Sequence, residues 1–248
     1  MSLNFRSLLN FIIFIFPILF ILGIFLHKLN SGPFGSIEYF ILIVEDGPLE
    51  YIQALAFFLS FIFASYLAFA FFKKQNKLFG FLFILMAFSF IFVSGEEISW
   101  GQRIFSLDAS EFSPENLQKE INIHNLPEFW QLFLLLHLGI SFYGVIGWIV
   151  FRPKKNKTLI LFRRYFIPCP ILIFYFIPFF MIGFLTDPNF NTNFSLETFT
   201  LPPSISVTVP TWYNLIMPGD KEIAEFLMSL GILFFILTSF YRIKKINY

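Results

Sequence analysis

The sequence predicts an all-α membrane protein, a helical bundle that crosses the membrane about six times. Of its 248 residues, 57% are hydrophobic and only 13% are charged, whereas soluble domains carry about 25% charged residues. Its mean hydropathy is +0.74, and six segments are each close to the roughly 20 apolar residues that a helix needs to cross the hydrocarbon core. A soluble domain of this size would need far more polar surface. The composition therefore excludes an ordinary soluble enzyme and a disordered chain.

Each predicted span is a nearly uncharged apolar run; they cover about 8–26, 51–72, 78–95, 129–151, 165–186 and 223–241. The first run is longer than a signal-peptide core and no small-residue cleavage site follows it, so we interpret it as a retained span. The apolar stretch from Ile37 to Val44 is too short to cross, and we expect it to lie in the interface or to re-enter.

The fifth span contains Pro168, Pro170 and Pro178, which predict a kink or a break, because proline removes a helix hydrogen bond. The sequence has no internal repeat and no low-complexity linker. We therefore expect residues 1–248 to form one integral membrane domain, with outer loops at 94–128 and 187–220.

Basic residues orient the spans, because Lys and Arg collect in cytoplasmic loops. Thirteen of the 17 basic residues fall on one side of the predicted topology: Arg6, Lys73, Lys74, Lys77, Arg152, Lys154, Lys155, Lys157, Arg163, Arg164, Arg242, Lys244 and Lys245. All 16 acidic residues and all three histidines fall toward the other side. We therefore predict that both termini are cytoplasmic.

Two classes of partner or site are excluded at this stage. Nucleic-acid binding has no support, because the chain has no basic domain to carry it. The single cysteine, Cys169, excludes an internal disulfide framework and a cysteine zinc site. The lipid bilayer is the partner that the composition does imply.

The densest polar segment, Ser94-Gly-Glu-Glu-Ile-Ser-Trp-Gly-Gln-Arg103, stands at the outer end of the third span. If the helix continues through it, Glu96, Trp100 and Arg103 fall on one face. Adjacent carboxylates near the hydrocarbon are costly unless they are paired, protonated or bound to a cation. One interpretation makes Glu96 and Glu97 a general acid/base pair or ligands of a divalent metal. The other is a Glu–Arg clasp that anchors the helix end, with Trp100 in the interfacial belt.

A second polar strip precedes the fourth span, and its alternation with apolar residues predicts an extended segment. Its five polar members share one face: Asn116, Gln118, Glu120, Asn122 and His124. This face either points toward Glu96 and Glu97, with His124 as acid or metal ligand, or meets water while Ile121 and Ile123 pack on the bundle. We expect Trp100, Gln102, Arg103 and the amides of the strip to contact a substrate.

The remaining acids near span ends have a simpler explanation. Glu50 opens the second span, and Asp220, Glu222 and Glu225 open the sixth, where the helix dipole favours negative charge. We assign these four to helix starts. His137, the histidine inside a span, is either functional or a neutral hydrogen-bonded side chain.

Three motifs resemble a family of bacterial multi-pass membrane proteins of unknown activity. They are Glu45-Asp-Gly-x-x-Glu50, Glu96-Glu-x-x-Trp-Gly-Gln-Arg103, and the Asn-x-Gln-x-Glu-x-Asn-x-His-Asn run that ends at Asn125. They cover roughly residues 45–130, and the resemblance implies a shared polar site and a location in the bacterial cytoplasmic (inner) membrane. The Glu-Glu pair and Phe133-x-x-x-His137 are also similar to motifs of CAAX-type intramembrane metalloproteases. In that family the arginine follows closer to the pair, and here no third motif follows His137. Alkaline-ceramidase-like hydrolases use a His-rich zinc site, for which three scattered histidines are a poor match.

Two functions are consistent with these patterns. The first is hydrolysis or group transfer on a lipid or lipid-linked substrate at an outward-facing polar site, with or without a divalent metal. The second is a non-enzymatic role as a scaffold subunit or a small transporter. A transporter should show a polar path to the cytoplasm, and the inner halves of the spans offer little beyond Ser, Thr and Gln.

Overall fold

A computed structural model describes residues 5–31, 37–43, 47–102, 104–106, 121–123, 126–151, 155–186 and 220–244. Within these ranges all regular structure is helical, as predicted. The α-helices are α1 (Phe5–Ser31), α2 (Ile37–Ile43), α3 (Pro48–Lys73), α4 (Lys77–Glu97), α5 (Pro127–Val150), α6 (Lys157–Phe166), α7 (Ile173–Thr186) and α8 (Lys221–Lys244). Short 3₁₀ turns follow α4 at Ser99–Gly101 and precede α7 at Pro170–Leu172.

Six helical segments are long and apolar enough to cross a membrane, which confirms the predicted number of spans and fits an integral multi-pass membrane protein. α1, α3, α4, α5 and α8 coincide with five predicted spans to within a few residues at each end. The stretch after residue 37 forms the two-turn helix α2, and Tyr39 from this helix is buried. Apolar side chains along α1 are widely exposed, as a surface that faces lipid requires.

α8 lies at the centre of the described helices, because α3 and α7 both pack against it and most of its side chains are buried. Close approach depends on small residues. A Cβ at Gly231 of α8 would stand 2.7 Å from the Cβ of Tyr175 on α7. A Cβ at Gly144 of α5 would overlap the ring of Phe176. Glycines at helix crossings let backbones approach where lipid provides no hydrophobic driving force.

The fifth span is broken where its first prolines predict. α6 ends at Phe166, Ile167 and Cys169 are extended, and helical structure resumes at Pro170, while Pro178 stays inside α7. The carbonyls left open at the end of α6 are capped by side chains from neighbouring helices. Ser239 donates to the Tyr165 carbonyl at 3.1 Å and Tyr143 donates to the Phe166 carbonyl at 2.5 Å.

Charge divides the bundle into two ends. One, which we call the acidic end, holds every acid whose side chain the structure describes: Glu38, Glu50, Glu96, Glu97, Asp220, Glu222 and Glu225. The opposite, basic end holds nine described basic residues: Lys73, Lys74, Lys77, Lys155, Lys157, Arg163, Arg164, Arg242 and Lys244. Only Lys28 and Lys221 among the described bases lie at the acidic end. Which end faces the cytoplasm stays a prediction, as does the single domain.

Candidate functional site at the acidic end

The polar segment after α4 is a left-handed turn and not a continued helix. α4 ends at Glu97, and Ser99, Trp100 and Gly101 follow with φ values of 47°, 52° and 78°. Left-handed backbone is unfavourable for residues other than glycine and costs of the order of 1–3 kcal/mol each. The expectation that depended on a continuous helix is therefore wrong for Trp100, because the helix stops before it.

Glu96 and Trp100 nevertheless meet, because the turn folds the indole back over the last turn of α4. Trp100 Nε1 donates to Glu96 Oε1 at 2.6 Å. The indole packs directly on Gly95, where an added Cβ would stand 2.8 Å from the ring. Glycine at position 95 is thus a steric requirement of this turn.

The second carboxylate oxygen of Glu96 accepts a hydrogen bond from the polar strip. The backbone N–H of Ile123 donates to Glu96 Oε2 at 2.7 Å, and the N–H of Ile121 donates to Gln102 Oε1 at 2.7 Å. Asn122 Nδ2 lies 3.4 Å from Ser99 Oγ. Glu96 is only 3% exposed, so its charge is stabilised by donors from two separate segments.

The three described strip residues, 121–123, match the inward-facing interpretation. Asn122 is buried, whereas Ile123 is exposed, the reverse of an arrangement in which the isoleucines pack inward. The other predicted site residues lie outside the described residues: Arg103, Asn116, Gln118, Glu120 and His124. Their contacts with a substrate stay predictions.

Glu97 points into a second environment, since neighbouring residues on a helix are about 100° apart. There it interacts electrostatically with Glu50 of α3, with Glu222 and Glu225 of α8, and with Lys221. Glu225 is buried, and the other three glutamates are half-buried. We call these five residues the carboxylate cluster. The Glu-Glu pair is therefore divided between a hydrogen-bonded clasp and a charged cluster.

Three helix ends create the carboxylate cluster. Glu50 and Glu222 lie in the first turns of α3 and α8, where the helix dipole favours a carboxylate. Glu97 lies in the last turn of α4, which has no basic residue, and there the dipole opposes a negative charge. Lys221 Nζ stands 3.0 Å from Glu225 Oε1. The Lys221 ammonium thus interacts with three of the four carboxyl groups, those of Glu225, Glu222 and Glu97.

Gln53 lies one turn below Glu50 and directs its amide into this cluster. Its Nε2 is 3.4 Å from Glu222 Oε2 and 3.5 Å from the Glu222 carbonyl. The side chain is fully buried, and its Oε1 has no hydrogen-bond partner within the described residues. A buried acceptor without a donor is costly. Within the described part of the chain, this oxygen is therefore an open acceptor beside the cluster.

A buried ion pair braces the bundle at the same end. Lys28 Nζ from α1 lies 2.6 and 2.5 Å from the two carboxylate oxygens of Asp220, which precedes α8. Tyr39 of α2 donates its hydroxyl to the same carboxylate. These contacts connect α1 and α2 to the start of α8, next to the carboxylate cluster.

The described residues contain no group of three His, Cys, Asp or Glu side chains arranged to hold a metal ion. The metal-ligand hypothesis for Glu96, Glu97 and His124 stays a prediction, because His124 lies outside the described residues. His137 Nδ1 lies 2.9 Å from the Phe133 carbonyl of its own helix, and its ring packs against Phe179.

Sequence reasoning missed three members of the cluster. Glu50, Glu222 and Glu225 were assigned to helix starts, which is correct for Glu50 and Glu222 but incomplete. The available signal was that each lies at the acidic end of a span within a few residues of another acid. The missing information was which helix ends meet.

Comparison of the chain with protein-family models, with curated proteins and with solved structures finds no match.

Proposed function

We propose that the protein is a membrane-embedded acid–base catalyst that hydrolyses, or transfers a group from, a lipid or lipid-linked substrate at the acidic end. One observation carries this proposal: Glu97 interacts electrostatically with Glu50, Glu222 and Glu225, beside a Gln53 oxygen that has no hydrogen-bond partner within the described residues. Four carboxyl groups from three helices at the end of a bundle are costly unless they are protonated, paired or bound to a ligand, and Lys221 is paired at 3.0 Å with Glu225.

In this proposal Glu97 exchanges the proton, because it lacks the favourable helix dipole that Glu50 and Glu222 have. One carboxylate accepts a proton from the attacking water or acceptor hydroxyl as the new bond forms. A second carboxyl group, in its acid form, gives a proton to the leaving group as the old bond breaks. Glu96 is then a positioning residue, since its hydrogen bonds fix the turn after Glu97.

The charge of the carboxylate cluster restricts the substrate. Four carboxyl groups around one ammonium repel a phosphate as the reacting group and favour an uncharged or cationic one. A phospholipid with an amine headgroup, or a lipid-linked ester, amide or glycoside, fits this requirement. Arg103 stays a predicted anchor for a more distant anionic group.

The proposal includes the compartment. We infer a bacterial cytoplasmic membrane with both termini in the cytoplasm, from the division of basic and acidic residues between the two ends. The reaction would then take place at the outer surface. The resemblance to a bacterial multi-pass family, based on the Glu-Glu-x-x-Trp-Gly-Gln-Arg motif, supports a polar site that this chain shares with others.

The test is turnover by the purified protein in nanodiscs that contain phosphatidylethanolamine, phosphatidylglycerol or a lipid extract from a bacterial membrane. Products are identified by mass spectrometry. We expect Glu97→Gln to lower the rate about a hundredfold or more, as loss of a general acid or base does, with an unchanged unfolding temperature. The control is Lys77→Gln, which neutralises an exposed charge at the basic end, away from the carboxylate cluster. Absence of turnover by the wild type in every lipid, or full activity of Glu97→Gln, would contradict the proposal.

A scaffold role is the second candidate, and the pairing of Glu96 favours it. Both of its oxygens are used within the chain, as a purely structural clasp requires. A scaffold predicts that Glu97→Gln leaves cells with the same phenotype as the wild type, whereas Glu96→Gln lowers the amount of folded protein.

A further inference from the structure

A second site lies at the basic end, far from the carboxylate cluster. A cavity of about 290 Å³ opens where the fifth span is broken. Its walls include Trp148 of α5, Arg163 and Arg164 of α6, the Pro168–Pro170 segment, and Arg242 of α8. Three arginine residues therefore border one space.

The break in the helix gives this cavity a fixed shape. Arg242 donates through Nη1 to the Arg164 carbonyl, which caps the end of α6. This bond uses one of the five N–H groups of Arg242, and no other hydrogen bond of its guanidinium is seen within the described residues. The remaining donors are thus held in place before a ligand arrives, which lowers the entropy lost on binding.

No acidic side chain neutralises these arginines. Every described Asp and Glu lies at the acidic end, and the sequence puts the other acids on that side of the predicted topology as well. Arg164 and Arg242 are close enough to repel each other. Within the described residues these arginines therefore have no counter-charge, and an anion from outside the chain can provide it.

The surroundings of the cavity are those of a lipid headgroup region. α6 carries Arg163 and Arg164, and its apolar residues Leu159 and Ile160 are 45% and 46% exposed. Trp148 provides an aromatic ring of the kind that lies at the membrane–water boundary. If the bound anion is the headgroup of a lipid, the acyl chains of that lipid can cover the exposed apolar face of α6.

We propose that this cavity binds the phosphate group of an anionic membrane phospholipid. Arginine forms paired, charge-assisted hydrogen bonds with phosphate oxygens, and basic pockets between helices at a membrane surface collect anionic headgroups. The site is independent of the proposed catalysis, because it lies at the opposite end of the bundle.

Native mass spectrometry of the purified full-length protein tests the site, with titration by phosphatidylglycerol and, in parallel, by phosphatidylcholine. We expect preferential binding of phosphatidylglycerol and about a tenfold loss of affinity in Arg163→Gln, the loss typical of one charge-assisted hydrogen bond. Arg163 is preferred to Arg242 for this test because its side chain caps no helix. Lys157→Gln is the matched control, since Lys157 lies on α6 but does not line the cavity.

Three results would overturn the proposal. Unchanged phosphatidylglycerol affinity in both Arg163→Gln and the Arg163→Gln/Arg164→Gln double variant would show that the arginines do not bind it. An equal loss in Lys157→Gln would show attraction to net charge without a site. Displacement of the lipid by an equimolar amount of inorganic phosphate would show that the ligand is free phosphate.

Discussion

The indole nitrogen of Trp100 lies 2.6 Å from Glu96 Oε1, across a left-handed turn and not along a helix. The same carboxylate accepts the backbone N–H of Ile123 at 2.7 Å. Glu96 therefore joins the end of α4 to the chain that enters α5. The hydrogen bonds of Glu96 hold the last turn of α4 in place, and the side chain of the next residue, Glu97, points from this turn toward the carboxylate cluster.

The first prediction concerns that contact. Glu96→Gln keeps the size of the side chain, but an amide has one acceptor oxygen and cannot serve both Trp100 and the N–H of Ile123. Loss of one of these two part-buried, charge-assisted hydrogen bonds should lower the free energy of unfolding by about 1–3 kcal/mol. Unfolding in detergent, followed by circular dichroism, measures this loss. Lys77→Gln, at an exposed position of the basic end, should be unaffected, and equal stability of the two variants would contradict the prediction.

The second prediction compares two glycines of α5. A Cβ at Gly144 overlaps the buried ring of Phe176, whereas a Cβ at Gly139 meets nothing within 4 Å. Gly144→Ala should therefore lower the free energy of unfolding by about 1–3 kcal/mol. Gly139→Ala should leave it unchanged or raise it by up to about 1 kcal/mol, because alanine restricts the unfolded chain. The two variants make the same chemical change on one helix, so a loss of similar size in both would refute the packing argument.

The spans could be predicted from the sequence because crossing a membrane is a local property, set by the length of an apolar run. The break after Phe166 was equally local, since Pro168 and Pro170 cannot continue a helix. The direction of the chain after Glu97 could not be predicted, because Ser99 and Trp100 adopt left-handed backbone that neither residue type favours. That conformation is maintained by tertiary contacts.

The carboxylate cluster could not be predicted from the sequence for a related reason. Glu50 and Glu222 are 172 positions apart, and each has a sufficient local explanation in the first turn of its own helix. Only the packing of α8 against α3, with α4 beside α3, brings both within reach of Glu97. Helix order along the chain does not determine which ends are neighbours.

The third prediction concerns the buried pair of Lys28 and Asp220. Lys28→Met leaves the Asp220 carboxylate with the Tyr39 hydroxyl but without its ammonium, and the loss of one partner from a buried pair typically costs about 3–5 kcal/mol. Asp220→Leu should lower the free energy of unfolding by a similar amount. The double variant should recover much of this loss, because neither charge is then buried alone. Unfolding of the wild type, both single variants and the double variant gives the coupling energy, and strictly additive losses would argue against a direct interaction.

The fourth prediction is the orientation of the bundle, which the positive-inside rule assigns from the basic end. In a Cys169→Ala background, Ile37→Cys introduces a thiol at an exposed position of the acidic end, and Lys74→Cys introduces one at an exposed position of the basic end. A membrane-impermeant maleimide is added to bacterial spheroplasts, in which the outer membrane no longer blocks access. It should label position 37 and leave position 74 unlabelled. Both positions should react after the spheroplasts are lysed, which controls for the reactivity of each thiol. Labelling of position 74 alone in intact spheroplasts would reverse the orientation and would move the carboxylate cluster to the cytoplasmic surface.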